Sequence, residues 1–351
     1  MNVVSRSVIL KFQPTPEGIK PPRDALSVVV RIGEQLWLAS DETTSLERLT
    51  RTEDGRFENH TSSPLAELLR LPSGNDEEID LEGMDHQDGH LWLVGSHSLK
   101  RSNPNPGKNS AKQIEKLAKV DRELNRYTLA RILLENDPES GGLRLELPGA
   151  AAVLARTKNG SALTEALADD KHLRPFLSVP GKDNGFDIEG LAVAGDKLFL
   201  GLRGPALRGW AVILEVRVES KGTELVLKGF GADKRRYHKH FLDLGGLGIR
   251  ELCLKGSDLL ILAGPTMDLD GPVRVFRWKG GAETSEDSLI GRDGIELLFD
   301  VPYGDGTDHA EGMTLFSPAA SPLSLLVVYD SPSDKRRVES SGVKADIFEL
   351  S

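Results

Sequence analysis

A short hairpin pattern that recurs along the chain constrains the fold more than any other feature of the sequence. In its clearest copy, Phe186 to Gly209, an acidic residue and a glycine open an apolar strand, Gly195-Asp196 turns the chain, and a second apolar strand follows. Apolar runs joined by such a turn predict a β-hairpin. The residues that open the copies are Ser27, Glu82, Glu189, Glu251 and Glu311, and the copy at Ser27 is the weakest.

The intervals between these positions, 55, 107, 62 and 60 residues, indicate repeating units of about four strands each. Hairpins that cannot bury their own faces must pack against copies of themselves, which is typical of an all-β β-propeller. We therefore predict a single propeller domain over residues 1–351 with five clear blades. The long interval contains a helical and loop insertion at about 100–172, with helix-forming composition at 150–155 and 161–168. A sixth, degenerate blade in this region is the alternative.

The two ends of the chain are expected to close the ring. Residues Ser5–Phe12 alternate apolar and polar side chains but have no hairpin partner nearby, and another strand is predicted at Ala345–Leu350. Propellers often complete one blade with strands from both termini, because this removes an exposed sheet edge. We expect these two segments to pair.

Composition and charge exclude several classes of protein. The net charge is −10, whereas nucleic-acid binding usually requires a basic surface. No apolar run approaches the roughly 20 residues of a membrane span, and Met1 to Leu10 lack the features of a secretory signal. Cys253 is a single cysteine and forms no internal disulfide. We expect a cytoplasmic protein without nucleic-acid or membrane partners.

Charged residues at the strand ends are expected to converge at one mouth of the central channel. Several carboxylates in one funnel repel each other unless a cation or an arginine neutralises them. An oxygen-rich ring suits calcium or magnesium. The predicted metal ligands are Glu82, Glu189, Glu251 and Glu311 at the starts of inner strands, with Asp41 and Asp330 at the ends of second strands.

Two other interpretations of the same residues stay open. Arg203 and Arg250 are able to pair with the glutamates and leave no role for a metal. Alternatively, the glutamates accept backbone N–H bonds from the neighbouring blade and fix the blade spacing. If a ligand binds, Arg203 and Arg250 would hold its anionic oxygens, while His97 or metal-bound water would move protons. His309, next to Glu311, is a second candidate histidine.

The segments Phe186–Leu191, Leu198–Pro205 and Arg208–Ala211 together resemble a bacterial family catalogued as domain of unknown function 3616. The resemblance extends over nearly the whole chain. More distantly, the repeated Asp-x-Glu-Gly-apolar element is similar to propellers of the phytase-like esterase group. That similarity implies a propeller and calcium-dependent phosphoester chemistry. The copy at Ser27 lacks the glutamate, and the copy at Glu251 lacks the glycine.

These observations predict a propeller whose acidic channel mouth binds a divalent cation and a small anionic ligand, with phosphoester hydrolysis as the reaction. The sequence has no Gly-x-Ser-x-Gly elbow, Walker loop or His-Glu-x-x-His motif that would indicate a different chemistry. The competing hypothesis is a non-catalytic scaffold that presents its rim to a protein or a carbohydrate. Propellers serve both roles, so the fold alone does not decide between them.

Overall fold

The computed structural model describes residues 5–146, 151–231, 234–316 and 323–350, and strands dominate its regular structure. No helix in these ranges is long and apolar enough to cross a membrane. The helices are α1 (Ser110–Ala118), α2 (Ala162–Ala166) and single 3-10 turns at Pro22–Asp24, Leu124–Arg126, Arg174–Phe176, Gly281–Glu283 and Arg292–Gly294.

The strands follow one another in groups that match the predicted repeats. The N-terminal strand is β1 (Ser5–Lys11). The first unit contains β2 (Leu26–Ile32), β3 (Gln35–Ser40), β4 (Ser45–Arg51) and β5 (Phe57–Pro64). The second unit and its insertion contain β6 (Leu81–Gln87), β7 (His90–Gly95), β8 (Lys100–Arg101), β9 (Val120–Asp121), β10 (Leu129–Asn136), β11 (Leu143–Leu145) and β12 (Ala151–Leu154).

A small hairpin separates the second unit from the third. It consists of β13 (Arg156–Thr157) and β14 (Gly160–Ser161). The third unit contains β15 (Asp187–Ala194), β16 (Lys197–Leu207), β17 (Trp210–Lys221), β18 (Glu224–Leu227) and β19 (Tyr237–Leu242). The fourth contains β20 (Gly248–Lys255), β21 (Asp258–Gly264), β22 (Val273–Trp278) and β24 (Glu296–Val301), whereas β23 (Ser288–Ile290), which precedes β24 in the chain, pairs with β19 of the third unit. The fifth contains β25 (His309–Phe316), β26 (Ser324–Asp330), β27 (Arg337–Val338) and β28 (Gly342–Glu349).

The pairing within each unit is that of a propeller blade. Four strands pair antiparallel in succession: β2-β3-β4-β5, β6-β7-β10-β12, β15-β16-β17-β19, β20-β21-β22-β24 and β25-β26-β28-β1. The first strands β2, β6, β15, β20 and β25 neighbour one another in a closed ring. The prediction of an all-β propeller is therefore confirmed, and the described residues form five such units.

Strands from the two ends of the chain close the ring, as predicted. Strand β1 pairs antiparallel with β28 along its full length, from Ser5 opposite Phe348 to Lys11 opposite Gly342. The outer edge of the fifth unit is thereby covered by the N-terminal strand, which also touches β5 of the first unit. A closed arrangement of this kind removes the exposed edge of the last sheet.

The hydrophobic core is divided among the interfaces between neighbouring units. Each of five buried clusters combines apolar side chains from two adjacent units, so that no unit buries its faces alone. Representative pairs, from the first interface round to the last, are Trp37 with Met84, Trp92 with Ile188, Phe199 with Ile249, Leu262 with Met313, and Val328 with Leu38.

Polar side chains also tie the inner strands together. The Ser27 hydroxyl donates to the carbonyl of Leu81 at 2.6 Å, which joins the first unit to the second. Asp85 accepts the backbone N–H of Val193 at 2.7 Å, which joins the second to the third. These bonds satisfy backbone groups that inner strands would otherwise leave unpaired at the channel.

One prediction for the insertion is wrong. Residues 151–154 form β12, although the composition of 150–155 predicted a helix; residue 150 itself lies outside the described residues. The strand pairs with β10 and buries Ala152 and Leu154, so tertiary packing overrides the helix propensity of its alanines. The helix predicted at 161–168 is present as α2, with Ser161 as its N-cap. Strands β10, β11 and β12 complete the second unit and do not form a sixth.

Candidate functional site

A β-bulge interrupts the pairing of every inner strand at the same level of the channel. The pairing register shifts between Leu26 and Val28, Leu81 and Gly83, Ile188 and Gly190, Ile249 and Glu251, and Ala310 and Gly312. A bulge leaves one extra residue unpaired and redirects its side chain. The five residues in these positions are Ser27, Glu82, Glu189, Arg250 and Glu311. The fourth unit therefore presents an arginine where three other units present a glutamate.

The glycine that follows three of these glutamates allows the inner strands to approach closely. A Cβ atom added at Gly83 would lie 2.8 Å from the backbone nitrogen of Leu191 on the next inner strand. A Cβ atom at Gly312 would lie 2.9 Å from the Cα atom of Val28. Such contacts are too short for a real side chain, so the Glu-Gly pair combines a channel-facing carboxylate with close strand packing.

Glu251 occupies the glycine position of the fourth unit and has a different role from the other predicted glutamates. Its Oε1 atom accepts the backbone N–H groups of Leu191 at 3.3 Å and Leu252 at 2.9 Å. The residue is fully buried, and this burial raises the pKa of Glu251 well above its usual value. Glu251 thus acts as a clamp between units, which is the blade-spacing role left open above, and it does not line the cavity described next.

A cavity of about 370 Å³ opens at the mouth of the channel, and its lining is strongly acidic. The eleven lining carboxylates are Asp41, Glu42, Glu78, Asp80, Glu82, Asp183, Asp187, Glu189, Asp268, Glu311 and Asp330. The five basic lining residues are Lys100, Arg101, Arg126, Lys182 and Arg203. A smaller cavity of about 50 Å³ adjoins it and shares Lys182, Arg203, Asp268, Glu311 and Asp330. This smaller cavity is also lined by Arg250 and His309.

Two arginines neutralise part of this charge. Arg203 lies 2.8 Å from Glu189, and Arg250 lies 3.3 Å from Glu189 and 3.0 Å from Glu311. One further donor of each arginine meets a backbone carbonyl: Nε of Arg203 donates to Thr266 and Nη2 of Arg250 donates to Pro265. The arginine-pairing interpretation therefore describes the surroundings of Glu189 and Glu311.

The carboxylates on the opposite side of the mouth have few or no such partners. Among the residues that the structure describes, the half-buried Glu82 forms no hydrogen bond and no ion pair. Burial, reinforced by repulsion from Asp80 and Glu189, raises the pKa of Glu82 well above its usual value. The Oδ1 atoms of Asp41 and Asp330 are buried without a hydrogen-bond partner.

Burial and the charges of neighbouring side chains also shift the pKa values of the other carboxyl groups in the cavity. Burial, together with repulsion from Glu311, raises the pKa of Asp41 to about 8. Burial also raises the pKa of Glu311 to about 7, although Arg250 opposes this shift. For Asp187, burial and repulsion from Glu189 raise the pKa to about 7. Burial would raise the pKa of Asp330, but hydrogen bonding with His309 and attraction to Lys20 outweigh burial, so the pKa is lowered.

The mouth is thus divided into two halves with different chemistry. The carboxylates that lack a full set of partners, Asp41, Glu82 and Asp330, come from the first, second and fifth units, which are adjacent in the ring. The guanidinium groups of Arg203 and Arg250 come from the third and fourth units. Lys182, which precedes the third unit, is exposed and forms no hydrogen bond or ion pair with the described residues.

His97 does not reach the cavity. Its ring is buried, its Nδ1 atom lies 2.9 Å from the carbonyl oxygen of Gly95, and it packs edge-on against Tyr127. Burial lowers the pKa of His97 to about 4. His309 is the histidine that lines the adjoining cavity, with Nε2 3.1 Å from Asp270 and Nδ1 3.9 Å from Asp330. Of the two candidate histidines, only His309 is positioned to meet a ligand.

Sequence reasoning missed Asp80, Arg126 and Lys182. Arg126 pairs with Asp80 and also lies 2.8 Å from both Glu78 and Glu123. Asp80 carried a usable signal, because it precedes Glu82 by two residues as Asp187 precedes Glu189. Arg126 and Lys182 come from connections outside the repeated hairpin and had no such signal.

No ready-made metal site is present among the residues with described positions: no group of three or more His, Cys, Asp or Glu side chains is arranged to hold an ion. The arrangement offers instead a dense negative charge that the basic side chains of the mouth compensate only in part. Carboxylate oxygens are the ligands that calcium and magnesium prefer. Any cation would have to be bound by side chains that turn toward it.

Comparison with known proteins identifies a family profile and distant structural neighbours. The profile described as protein of unknown function (DUF3616) matches residues 25–346. No curated protein shows significant similarity to the chain. Among solved structures, glutaminyl cyclase of Myxococcus xanthus shares 10% identity over 98% of both chains with a TM-score of 0.39. A PQQ-bound aldose sugar dehydrogenase of Streptomyces coelicolor shares 13% over 99% of both chains with a TM-score of 0.38. Such low scores carry no argument, and the fold assignment rests on the strand pairing.

Proposed function

The chain belongs to the family described as protein of unknown function (DUF3616), and we propose that its channel mouth binds a divalent cation together with a small oxyanion. The observation that carries the proposal is Glu82, which has no hydrogen bond or ion pair with the described part of the chain and is repelled by Asp80, Glu189, Glu311 and Asp41. Carboxylates at this density destabilise one another unless a positive charge lies between them. A hard divalent cation with oxygen ligands removes that repulsion.

The cation ligands in this proposal are Glu82, Asp41, Asp330 and Glu311. Within the described ranges, each of the first three has at least one carboxylate oxygen without a hydrogen-bond partner, whereas Glu311 shares its charge with Arg250. Because the pKa values of Asp41 and Glu311 are raised to about 8 and about 7, these carboxyls are partly protonated near neutral pH. Cation binding therefore competes with protons and strengthens as the pH rises. Glu251, clamped between units, is not a ligand.

The oxyanion would bind on the opposite half of the mouth. Lys182 is exposed at the mouth and has no ion-pair partner among the residues with described positions, and Arg203 lines both cavities beside it. A phosphate group between these cations and the metal-binding half would be held from both sides. The reaction we propose is phosphoester hydrolysis, in which a water oxygen bonds to phosphorus and the ester oxygen leaves with a proton. A bound divalent cation supplies charge stabilisation for that step.

The direct test is thermal unfolding of chelator-treated protein with added calcium or magnesium. A ligand that binds only the folded state raises the midpoint, and the stabilisation grows with the logarithm of its concentration relative to Kd. We expect a dose-dependent rise for the wild type and a much smaller one for Glu82→Gln. Glu251→Gln is the matched control, since it removes a carboxyl group outside the cavity and should keep the response. If millimolar cation leaves the wild-type midpoint unchanged, the proposal is overturned.

The oxyanion half is tested separately with Lys182→Met. Lys182 forms no hydrogen bond or ion pair with the residues that the structure describes, so its loss should leave stability unchanged while it weakens the binding of inorganic phosphate to the calcium-loaded protein. The control is Lys158→Met, which removes another exposed lysine away from the mouth. Cation-dependent release of nitrophenol from p-nitrophenyl phosphate, lost in Glu82→Gln, is the expected sign of catalysis.

The alternative is a non-catalytic scaffold that binds a protein or a carbohydrate at its rim. The pairing of Arg203 and Arg250 with Glu189 and Glu311 favours it, because these groups already neutralise each other without a ligand. The same cation titration separates the two hypotheses. A scaffold of this kind predicts no calcium or magnesium response and no difference between the wild type and Glu82→Gln.

A further inference from the structure

Exposed apolar side chains border the charged mouth. Leu117 lines the large cavity, and Leu269 and Tyr303 line the adjoining one, although 45%, 60% and 48% of their surfaces are exposed to solvent. We call these three residues the apolar rim. Single exposed apolar residues are ordinary on a protein surface. Apolar side chains grouped beside a few convergent charges are instead the usual composition of a small-molecule site.

Hydrogen bonds connect the elements that carry the two sides of the rim. Leu117 lies in the last turn of the exposed helix α1, and its carbonyl oxygen accepts a hydrogen bond from Arg101. The Nε atom of Arg101 donates to Asp183 at 2.7 Å, and Asp183 forms an isolated antiparallel bridge with Met267, two residues before Leu269. Both sides of the rim are therefore anchored to the same segment around Asp183.

The cationic groups lie at the same place. Lys182 is the neighbour of Asp183 and lines both cavities, as does Arg203. Tyr303 and Leu269 line the smaller cavity together with Arg250. A ligand whose anionic oxygens meet Lys182 and Arg203 would thus have any further substituent directed toward apolar surface that is otherwise exposed to water.

We propose that the oxyanion recognised at this mouth carries an apolar substituent, an aryl or alkyl group, that packs on Leu117, Leu269 and Tyr303. The inference rests on the proposed function and narrows its ligand class to apolar phosphoesters or phosphonates. A polar substituent such as a sugar would leave the rim exposed and gain nothing from it. The favourable contribution is the removal of apolar surface of both ligand and rim from water.

The experiment compares two non-hydrolysable probes that bear the same phosphonate group, phenylphosphonate and methylphosphonate, by calorimetry on the calcium-loaded full chain at a pH where both are dianions. We expect phenylphosphonate to bind about tenfold more tightly, because burial of a ring adds several methylene equivalents of apolar area. The double variant Leu117→Ser/Leu269→Ser should reduce the ratio of the two affinities to about twofold. Both residues are exposed, so the folded state should tolerate the change.

The control is Leu289→Ser/Leu297→Ser, which removes two equally exposed leucines from the outer strands β23 and β24. It should leave the tenfold ratio intact. Equal binding of the two phosphonates by the wild type, or an unchanged ratio in the rim variant, would overturn the apolar-substituent proposal while leaving cation and oxyanion binding in place. Binding of neither phosphonate in the presence of calcium would overturn both proposals together.

Discussion

Arg250 and Glu189 occupy the bulges of two adjacent inner strands, and Nη1 of Arg250 lies 3.3 Å from Oε2 of Glu189. The same nitrogen lies 3.0 Å from Oε1 of Glu311 on the following inner strand. One guanidinium group therefore links the third, fourth and fifth units at the channel. Because the side chains are largely buried, removal of the cation leaves two carboxylates close together in a poorly solvated place.

We expect Arg250→Met to lower the free energy of unfolding by about 3 kcal/mol, the cost of breaking a buried ion pair by deleting one partner. Urea denaturation measures the change. The control is Arg274→Met, because Arg274 pairs with Asp300 at the surface and such pairs contribute less than about 1 kcal/mol. Equal losses in the two variants would contradict the role assigned to Arg250.

Because the inner strands approach each other closely, we expect one added methyl group between them to lower the stability of the fold substantially. Gly83→Ala would place a Cβ atom 2.8 Å from the backbone of Leu191 and should cost about 2 kcal/mol or more of stability through overpacking. Gly291→Ala is the control, since φ at Gly291 is −73° and nothing lies within 4 Å of its added Cβ. Chemical denaturation of the two variants should separate them clearly, and similar midpoints would exclude tight strand packing at Gly83.

The raised pKa values predict a pH dependence of stability. Between pH 6.5 and 8 the folded chain keeps protons on Asp41 and Glu311 that the unfolded chain has already released, because their pKa values are raised to about 8 and about 7. The folded state then binds more protons than the unfolded state, so the free energy of unfolding falls as the pH rises. Histidines with lowered pKa values, such as His97 at about 4, oppose this decline near pH 6.5, because the unfolded chain still binds protons on its histidines there. The decline should therefore be clearest above about pH 7.

Denaturation in the presence of a chelator at pH 6.5, 7.2 and 8 tests whether the free energy of unfolding falls as the pH rises. Glu82→Gln removes one repelling carboxyl group from the cluster and should make the decline shallower. Stability that rises over this interval in the wild type would show that the carboxyls are not held protonated by the folded state.

A network of polar side chains lies on the outer side of the third unit, and we expect its disruption to lower the free energy of unfolding modestly. The Ser288 hydroxyl lies 2.8 Å from Nδ1 of His240, and Nε2 of His240 lies 3.2 Å from the buried Glu215. The network connects β17, β19 and β23. Ser288→Ala should therefore cost about 1 kcal/mol, the net value of one hydrogen bond. Ser285→Ala, at an exposed position, should have no measurable effect in the same denaturation assay.

The propeller could be predicted from the sequence because its repeated hairpins carry a local signal, and the family resemblance is also confirmed. The register of the fourth copy could not be read from the glutamates alone. The fourth copy has Arg250-Glu251 where three others have Glu-Gly, so matching glutamate to glutamate aligned Glu251 with residues whose position Arg250 occupies. The intervals from 189 to 250 and from 250 to 311 are both 61 residues, and this regularity could have revealed the shift.

The basic residues of the site that lie outside the repeats could not be predicted from the sequence. Lys182 and Arg126 reach the mouth from connections whose course depends on the packing of whole units. His97 was predicted at the channel mouth because it follows the end of a strand, but it does not lie there. Its backbone adopts a φ of 55° and its ring is buried. Side-chain direction at a strand end depends on such local backbone changes.

The measurement that tests the central claim most directly is proton release on addition of calcium to chelator-treated protein in weak buffer near pH 7. If the cation binds among Glu82, Asp41 and Glu311, it displaces protons from these carboxyls, and we predict saturable acid release that decreases in Glu82→Gln and persists in Glu251→Gln. A saturable release with these two variant responses would establish the acidic mouth as a cation site. No proton release and no heat of binding at millimolar calcium would contradict the account.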